Sequence, residues 1–161
     1  ALVFAKTRKS VEELVGLLQR QGIAADSIHG DKPQPARLRA LQRFKAGEVD
    51  LLVATDVAAR GLDIEEMPLV VNFDLPIVAE DYVHRIGRTG RAGREGRALL
   101  LVTPRERRML QVIERVTGQK VGEVRLPDAE TVLEARLARL AASLTPLLDS
   151  AVEHHLSMCR F

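Results

Sequence analysis

Short apolar runs alternate with longer amphipathic segments along most of the chain, and this pattern predicts strands that alternate with helices. The apolar runs are rich in branched aliphatic side chains, which is typical of strands buried on both faces of a sheet. These predicted strands are residues 1–5, 23–28, 50–54, 69–73 and 98–103. The intervening segments have helical spacing. The first predicted helix has Ser10 as its N-cap and ends at Gly22. Further helices are predicted over residues 33–46, 57–60, 80–86 and 104–116.

This alternation predicts an α/β fold in which a parallel sheet of about five or six strands carries helices on both faces. Right-handed crossovers place the loops that follow the strands at one edge of the sheet, where such sheets bind their ligands. These loops are residues 6–8, 29–31, 55–56 and 74–76, and their side chains are mostly small, polar or charged. The pattern therefore predicts a domain with one binding edge.

The last quarter of the chain predicts a helical extension. Residues 121–126 are predicted as a short edge strand, and Asp128 as the N-cap of an amphipathic helix over residues 129–144. Its apolar stripe consists of Val132, Leu133, Leu137, Leu140, Ala141 and Leu144. Two interpretations remain: the stripe packs on its own domain, or it forms a protein–protein surface. We therefore divide the chain into a domain at residues 1–126 and an extension at residues 127–161.

Composition and charge narrow the classes of function. The net charge is only +2, but residues 82–108 contain eight arginines and two glutamates, so the basic character is local. The single cysteine, Cys159, excludes an internal disulfide and fits a reducing cytoplasm. No apolar run approaches the roughly 20 residues of a membrane span, and no signal peptide is visible. His154 and His155 have no spaced partners, so we predict no metal site.

Residues 82–94, with the sequence YVHRIGRTGRAGR, are the strongest candidate for chemistry. Their arginines are Arg85, Arg88, Arg91 and Arg94, spaced three apart and interleaved with glycines. Arginine grips phosphate with a planar fork of donors, and glycine allows a ligand to approach the backbone closely. The segment therefore predicts a site for an anionic group, and the competing interpretation is a solvated basic loop.

Four segments in order resemble motifs of the DEAD-box ATP-dependent RNA helicases of bacteria. They are residues 3–7 (VFAKT), 29–31 with 34–37 (HGD and QPAR), 54–63 (ATDVAARGLD) and 84–91 (HRIGRTGR). The resemblance covers residues 1–125 and implies the C-terminal RecA-like domain of such an enzyme. It also implies RNA as a partner and coupling of ATP hydrolysis to RNA unwinding, and the single cysteine predicts a cytoplasmic location.

The resemblance implies a role for individual residues. Those that would contact the RNA sugar-phosphate backbone are Thr7, Gly30, Gln34, Arg37, Thr55, Arg60 and Gly61. Asp63 would bind the ribose of ATP, and Arg88 and Arg91 would be arginine fingers on its γ-phosphate. His84 and Arg85 would couple the nucleotide site to the domain interface. Pro35 stands in a variable part of its motif, where it could change the helix start that directs Arg37.

The chain does not contain the phosphate-binding loop GxxxxGK[ST] or a DEAD sequence. In the family both lie in the N-terminal RecA-like domain, which would hold most of the ATP and Mg²⁺. The chain begins inside an apolar run without Met, so we expect it to be part of a longer protein and inactive alone. The alternatives are a nucleic-acid-binding module without a motor role, or a fragment that dimerises through residues 128–148, since some bacterial members carry a dimerising helical segment here.

Overall fold

The structure, a computed structural model, describes residues 1–60, 64, 67–90, 95–124 and 127–158, without the side chains of residues 129 and 146–158. The chain divides into two compact units, Ala1–Lys120 and Val121–Phe161. The first unit contains a sheet and its helices, and the second contains one long helix.

The first unit is built on a five-stranded parallel sheet, as the alternating pattern predicts. Its strands are β1 (Leu2–Phe4), β2 (Ala25–Ile28), β3 (Leu51–Ala54), β4 (Leu69–Asn72) and β5 (Arg97–Leu100). Their order in the sheet is β2-β3-β1-β4-β5. The first strand is therefore central, with Leu2 paired to Leu52 on one side and to Val70 on the other.

Helices connect successive strands. They are α1 (Arg8–Arg20), α2 (Gln34–Lys45), the short α3 (Asp56–Ala59) and α4 (Ala79–Ile86), and α5 (Arg107–Thr117) follows the last strand after a 3₁₀ turn at Pro104–Glu106. In the second unit α6 runs over Ala129–Met158, with the Asp128 carboxylate accepting the Thr131 N–H at 2.8 Å. This helix is longer than the predicted residues 129–144, and its start is as predicted.

The core lies on both faces of the sheet because adjacent strand residues point to opposite sides. Leu2 and Phe4 of β1 pack with Leu41 of α2 on one face. Val3 of the same strand packs with Val11 of α1 on the other. The prediction of helices on both faces is therefore confirmed. A third cluster joins α4 to α5 through Ala79, Tyr82 and Ile113, together with Leu75.

The start of α1 differs from the prediction. The N-cap is Thr7, not Ser10, because Thr7 has an extended backbone with φ −124° and its hydroxyl accepts the Ser10 N–H at 3.0 Å. Ser10 therefore lies inside the first turn. The predicted strand at residues 23–28 also starts later, since the Ile23 N–H still donates to Leu18 C=O at 3.0 Å and closes the helix end.

One predicted strand end is also wrong, and so is the described part of one whole predicted strand. The last strand stops at Leu100 and not at residue 103, because the Thr103 N–H donates to the Glu106 carboxylate at 2.9 Å and turns the chain into the 3₁₀ segment. Residues 121–124 form no strand, and the remaining two residues of that predicted strand lie outside the described residues. The sheet therefore has five strands in the described part of the chain.

Candidate functional site

Five of the predicted site residues line two places at the carboxyl edge of the sheet: Thr7, Arg60, His84, Arg85 and Arg88. One is a cleft between α3 and α4, lined by Phe4, Asp56, Ala59, Arg60, Asp81, His84, Arg85 and Arg88. The other is an open groove of about 470 Å³, lined by Thr7, Arg8, Lys9, Glu12, His29 and Asp31. Gly61, Asp63 and Arg91 lie outside the described residues, so the predictions for them stay predictions.

Arg85 is the buried hub of the cleft, with only 2% of its surface exposed. Its Nε and Nη2 donate to the two carboxylate oxygens of Asp56 at 2.6 and 2.7 Å. Its Nη1 donates to the Asn72 side chain at 3.1 Å and to the Asp74 C=O at 2.7 Å. The guanidinium also lies 5.1 Å from the centre of the Phe4 ring, in cation–π contact.

These contacts tie the ends of three strands to α4. Asp56 follows β3, Asn72 ends β4 and Phe4 ends β1. A buried guanidinium is stable only when its donors are satisfied, and Arg85 meets that condition through a bidentate pair and two neutral acceptors. We conclude that Arg85 holds the carboxyl edge together, whereas the adjacent His84 is exposed at the cleft. Its predicted coupling role stays a prediction.

Arg88 differs from Arg85 in its environment. Its side chain lies at the cleft, half-buried, and no carboxylate of the described residues pairs with it. Its backbone is held, because the Met67 N–H donates to the Arg88 C=O at 2.8 Å and the Thr89 hydroxyl donates to the Met67 C=O. Gly90 then turns with φ +69°, which a glycine adopts without strain. Arg88 is therefore a charged group on a fixed backbone.

Arg60 lies at the mouth of the same cleft and is 58% exposed. It forms an ion pair with Asp81 of α4, whose side chain is only 18% exposed. The arginine end of this pair is open to solvent, so an anionic ligand could reach Arg60 directly.

Arg37 links α2 to α3. Its Nη1 donates to the Gln34 side chain at 3.0 Å, and its Nη2 donates to the Ala58 C=O at 3.1 Å. Its Nε is buried without a hydrogen-bond partner among the described residues. Pro35 is the second residue of α2, where the helix needs no N–H, so it is compatible with the helix start that directs Arg37. Thr55 is buried and occupies the N-cap position of α3 with an extended backbone, without a side-chain capping hydrogen bond.

The groove beside β2 is lined by charged and polar side chains. Arg8 pairs with Asp31, while the Thr7 hydroxyl is shared between the Ser10 N–H and the Ser10 hydroxyl. Gly30 is exposed, and a methyl group in place of its α-hydrogen would meet nothing within 4 Å. The backbone at Gly30 is therefore open to close approach by a ligand.

A buried histidine forms the inner wall of this groove, and sequence reasoning missed its partners. His29 is 6% exposed, and its Nε2 lies 2.6 Å from Glu12 Oε1. Ser27 donates its hydroxyl to the same oxygen at 2.6 Å. The Ser27 hydrogen bond and the one from His29 hold the pKa of Glu12 below its usual range. The only signal in the sequence was a glutamate among the helical positions next to a histidine-glycine turn.

Neither a metal centre nor a membrane span is found in the described ranges. No group of three or more His, Cys, Asp or Glu side chains there could hold a metal ion. No helix in the same part of the chain is both long and apolar enough to cross a membrane.

Comparison with known proteins places these features in a family. The model of the helicase conserved C-terminal domain matches residues 1–93. The chain is 50% identical over 151 residues to the ATP-dependent RNA helicase DeaD of Klebsiella pneumoniae, covering 94% of this chain and 24% of that protein. It is 48% identical over 147 residues to the ATP-dependent RNA helicase DeaD of Mycobacterium tuberculosis H37Rv, covering 91% of this chain and 26% of that protein. The chain thus spans about a quarter of the length of these relatives.

Solved structures agree with the sequence comparison. A DEAD box protein from the hyperthermophile Methanococcus jannaschii superposes with a TM-score of 0.73 at 41% identity, over 77% of this chain and 34% of that one. The Escherichia coli DEAD-box protein SrmB, solved bound to regulator of ribonuclease activity A, superposes with a TM-score of 0.71 at 38% sequence identity. The match covers 79% of this chain and 80% of the SrmB chain. With the parallel sheet and the motifs at its carboxyl edge, these matches show that the chain belongs to the DEAD-box RNA helicases as their RecA-like C-terminal domain.

Proposed function

We propose that this chain is the half of an ATP-dependent RNA helicase that grips the RNA backbone and completes the ATP site of the N-terminal RecA-like domain. Hydrolysis in the joined site would drive RNA duplex unwinding. The observation that carries the proposal is Arg88, an arginine on a fixed backbone with no carboxylate partner among the described residues. Such a group is suited to an anion that another domain brings to it.

The described residues of the cleft fit a phosphate. Arg88 and Arg60 supply guanidinium donors at its mouth, and His84 lies exposed beside them. ATP with Mg²⁺, held mainly by the N-terminal domain, supplies the phosphoanhydride bond that is hydrolysed. Arg88 and Arg91 would stabilise the charge that develops on its γ-phosphate, and Asp63 would bind its ribose. Since the fingers belong to a different domain from the phosphate-binding loop, domain closure would switch hydrolysis on.

The scarcity of exposed aromatic rings supports RNA binding through the backbone. Phe4 and Tyr82 are buried in the domain, and Phe73 is 39% exposed. Base recognition in single strands relies on aromatic stacking, which this surface offers little of. The predicted RNA set, from Thr7 and Gly30 to Gly61, consists of groups that meet phosphate and sugar, contacts that position RNA without reading its sequence.

Arg37 tests this mode of binding. Replacing it with alanine is expected to weaken binding about threefold to tenfold for every RNA sequence alike, and to lower the slope of log affinity against log salt by about 1, because one phosphate contact is lost. Fluorescence anisotropy with labelled oligouridine and mixed-sequence RNA at several salt concentrations would measure this. Arg39→Ala is the matched control on the same helix, since Arg39 is exposed. A loss confined to one RNA sequence would contradict the proposal.

The half-site itself is tested by comparing ATP hydrolysis by this chain alone with hydrolysis by the full-length protein. We expect no RNA-stimulated ATP hydrolysis from the 161 residues alone, since they have no phosphate-binding loop, and turnover from the full-length protein that carries both domains. Phosphate release, followed colorimetrically, is the readout. Turnover by this chain alone would contradict the proposal.

A cytoplasmic location is proposed together with this function, supported by the single cysteine.

The exposed stripe of α6 favours a second proposal, that the extension joins two copies of the chain. Leu133, Leu137, Leu140 and Leu144 are 45–56% exposed. They are spaced four, three and four residues apart, which is the spacing of a coiled-coil seam. Such a seam buries its leucines only against another helix.

Deletion of residues 128–161 is therefore expected to convert a dimer into a monomer and halve the mass in solution. Multi-angle light scattering at micromolar concentration would measure the masses of both proteins. Replacing Leu137 and Leu140 with lysine should have the same effect without shortening the chain, because charge in the seam opposes pairing. An identical mass for the intact chain and the deletion variant would reject this proposal.

A further inference from the structure

A closed ring of contacts joins the first turns of α1 to the turn at His29–Asp31. Glu12 contacts His29 Nε2 at 2.6 Å, the Asp31 N–H lies 3.3 Å from His29 Nδ1, and the Asp31 carboxylate pairs with Arg8. Arg8 and Glu12 are four residues apart on the same helix and therefore lie on one face. The ring returns to the helix from which it starts.

The contact from the Asp31 N–H selects one tautomer of the His29 ring. A backbone N–H can only donate, so Nδ1 must accept from Asp31 and carry no proton. The ring proton is then on Nε2, where it points to the Glu12 carboxylate. Glu12 also accepts the Ser27 hydroxyl at 2.6 Å, and this hydroxyl orients the carboxylate from the strand side. Glu12 thus selects the tautomer that holds the Asp31 amide.

Gly30 lies between His29 and Asp31, the two residues that these contacts hold in place. Its neighbours on both sides are tied down, since the Lys32 N–H donates to the His29 C=O at 3.2 Å, and its own surface is open. An RNA phosphate that meets the Gly30 backbone would therefore find it already in one conformation. Preorganisation of this kind improves affinity because little ordering is left to the binding step.

We propose that Glu12 is a positioning residue for RNA binding: through His29 it holds the turn at Gly30 and Asp31 in the conformation that receives a phosphate of the RNA backbone. This rests on the proposed function, in which Gly30 contacts RNA. Glu12 itself touches no RNA in this scheme. Its acceptor oxygen is what matters, so a glutamine, which keeps that oxygen, replaces it.

The test compares Glu12→Ala, Glu12→Gln and the neighbouring control Glu13→Ala in the full 161-residue chain. Glu13 is matched because it is exposed, and within the described ranges its carboxylate forms a surface pair with Lys9 at 3.7 Å. Affinity for labelled single-stranded RNA is expected to fall about fivefold in Glu12→Ala and to stay within about twofold of wild type in the other two. Hydrogen exchange of the Asp31 amide, followed by NMR, should become about tenfold faster in Glu12→Ala alone.

Two results would overturn the proposal and leave the proposed function standing. One is wild-type RNA affinity in Glu12→Ala while Arg37→Ala binds more weakly. The other is an equal loss of affinity in Glu12→Ala and Glu12→Gln, since charge rather than the acceptor oxygen would then matter. A wild-type chain with no affinity for RNA would overturn both. Thermal unfolding of each variant shows that affinities are compared between folded proteins.

Discussion

Replacing Arg85 with alanine is expected to lower the free energy of unfolding by about 3–5 kcal/mol, because removal of one partner leaves the other charge of a buried pair uncompensated. Asp56 would lose both of its guanidinium donors, and Asn72 and the Asp74 C=O would each lose one. The cation–π contact with Phe4 would be lost as well. No other described side chain ties three strand ends to one helix.

Urea denaturation followed by circular dichroism would measure this loss. Arg39→Ala is the control, an exposed arginine on α2 whose removal should change stability by no more than about 0.5 kcal/mol. Removing Asp56 in the Arg85→Ala background should cost much less than removing it from the wild type, because the two side chains act as a pair. A loss below about 1 kcal/mol for Arg85→Ala would show that the hub does not hold the edge together.

Replacing Arg88 with alanine is expected to reduce RNA-stimulated ATP turnover of the full-length enzyme about 10³-fold or more, the effect typical of a missing arginine finger. Stability should change little, because the Arg88 side chain pairs with no carboxylate of the described residues. The same loss of turnover is expected for Arg91→Ala. Because only charge in the transition state is affected, nucleotide and RNA affinities should stay near those of the wild type.

Steady-state ATP hydrolysis and RNA anisotropy on the same samples would separate these effects. Arg108→Ala is the matched control, since it removes an exposed arginine from the same basic stretch and from a helix outside the cleft. Arg88→Lys keeps the charge and loses the planar fork, so intermediate activity is expected. Wild-type turnover after removal of both fingers would assign the arginine segment to RNA binding alone.

Most of the fold could be predicted because period-2 and period-3.6 patterns are strong in short buried strands and amphipathic helices. The start of α1 could not, since Thr7 and Ser10 are both favoured capping residues, serine slightly more so, and the intervening Arg8 and Lys9 carry no apolar signal. The predicted strand that corresponds to β5 is three residues too long at its C-terminal end for a related reason. Apolar residues continue past Leu100, and only the Thr103–Glu106 contact shows where the chain turns.

The sequence pattern shows the charge of the site but not that Arg85 is buried and paired while Arg88, within the described ranges, is not; the different roles of the two arginines came from the family resemblance alone. Arg85 and Arg88 look alike in the sequence, each an arginine followed closely by glycine. Their difference comes from residues far along the chain, since Asp56 is 29 residues and Asn72 is 13 residues from Arg85. Asn72 was a usable signal, as a polar residue inside an apolar strand needs a buried partner. The Glu12–His29 contact left no comparable trace.

The central place of β1 has a consequence for synthesis on the ribosome. Among the five strands of the sheet, β1 comes first in the chain, and its Leu2 pairs with Leu52 and Val70, which follow 50 and 68 residues later. Sheets built from such distant pairings fold slowly, because loops must close before any contact is gained. The apolar β1 therefore leaves the ribosome well before its partner strands, and it stays unpaired and exposed to solvent until β4 has been made. This nascent chain is expected to need chaperone cover until about residue 72 has emerged.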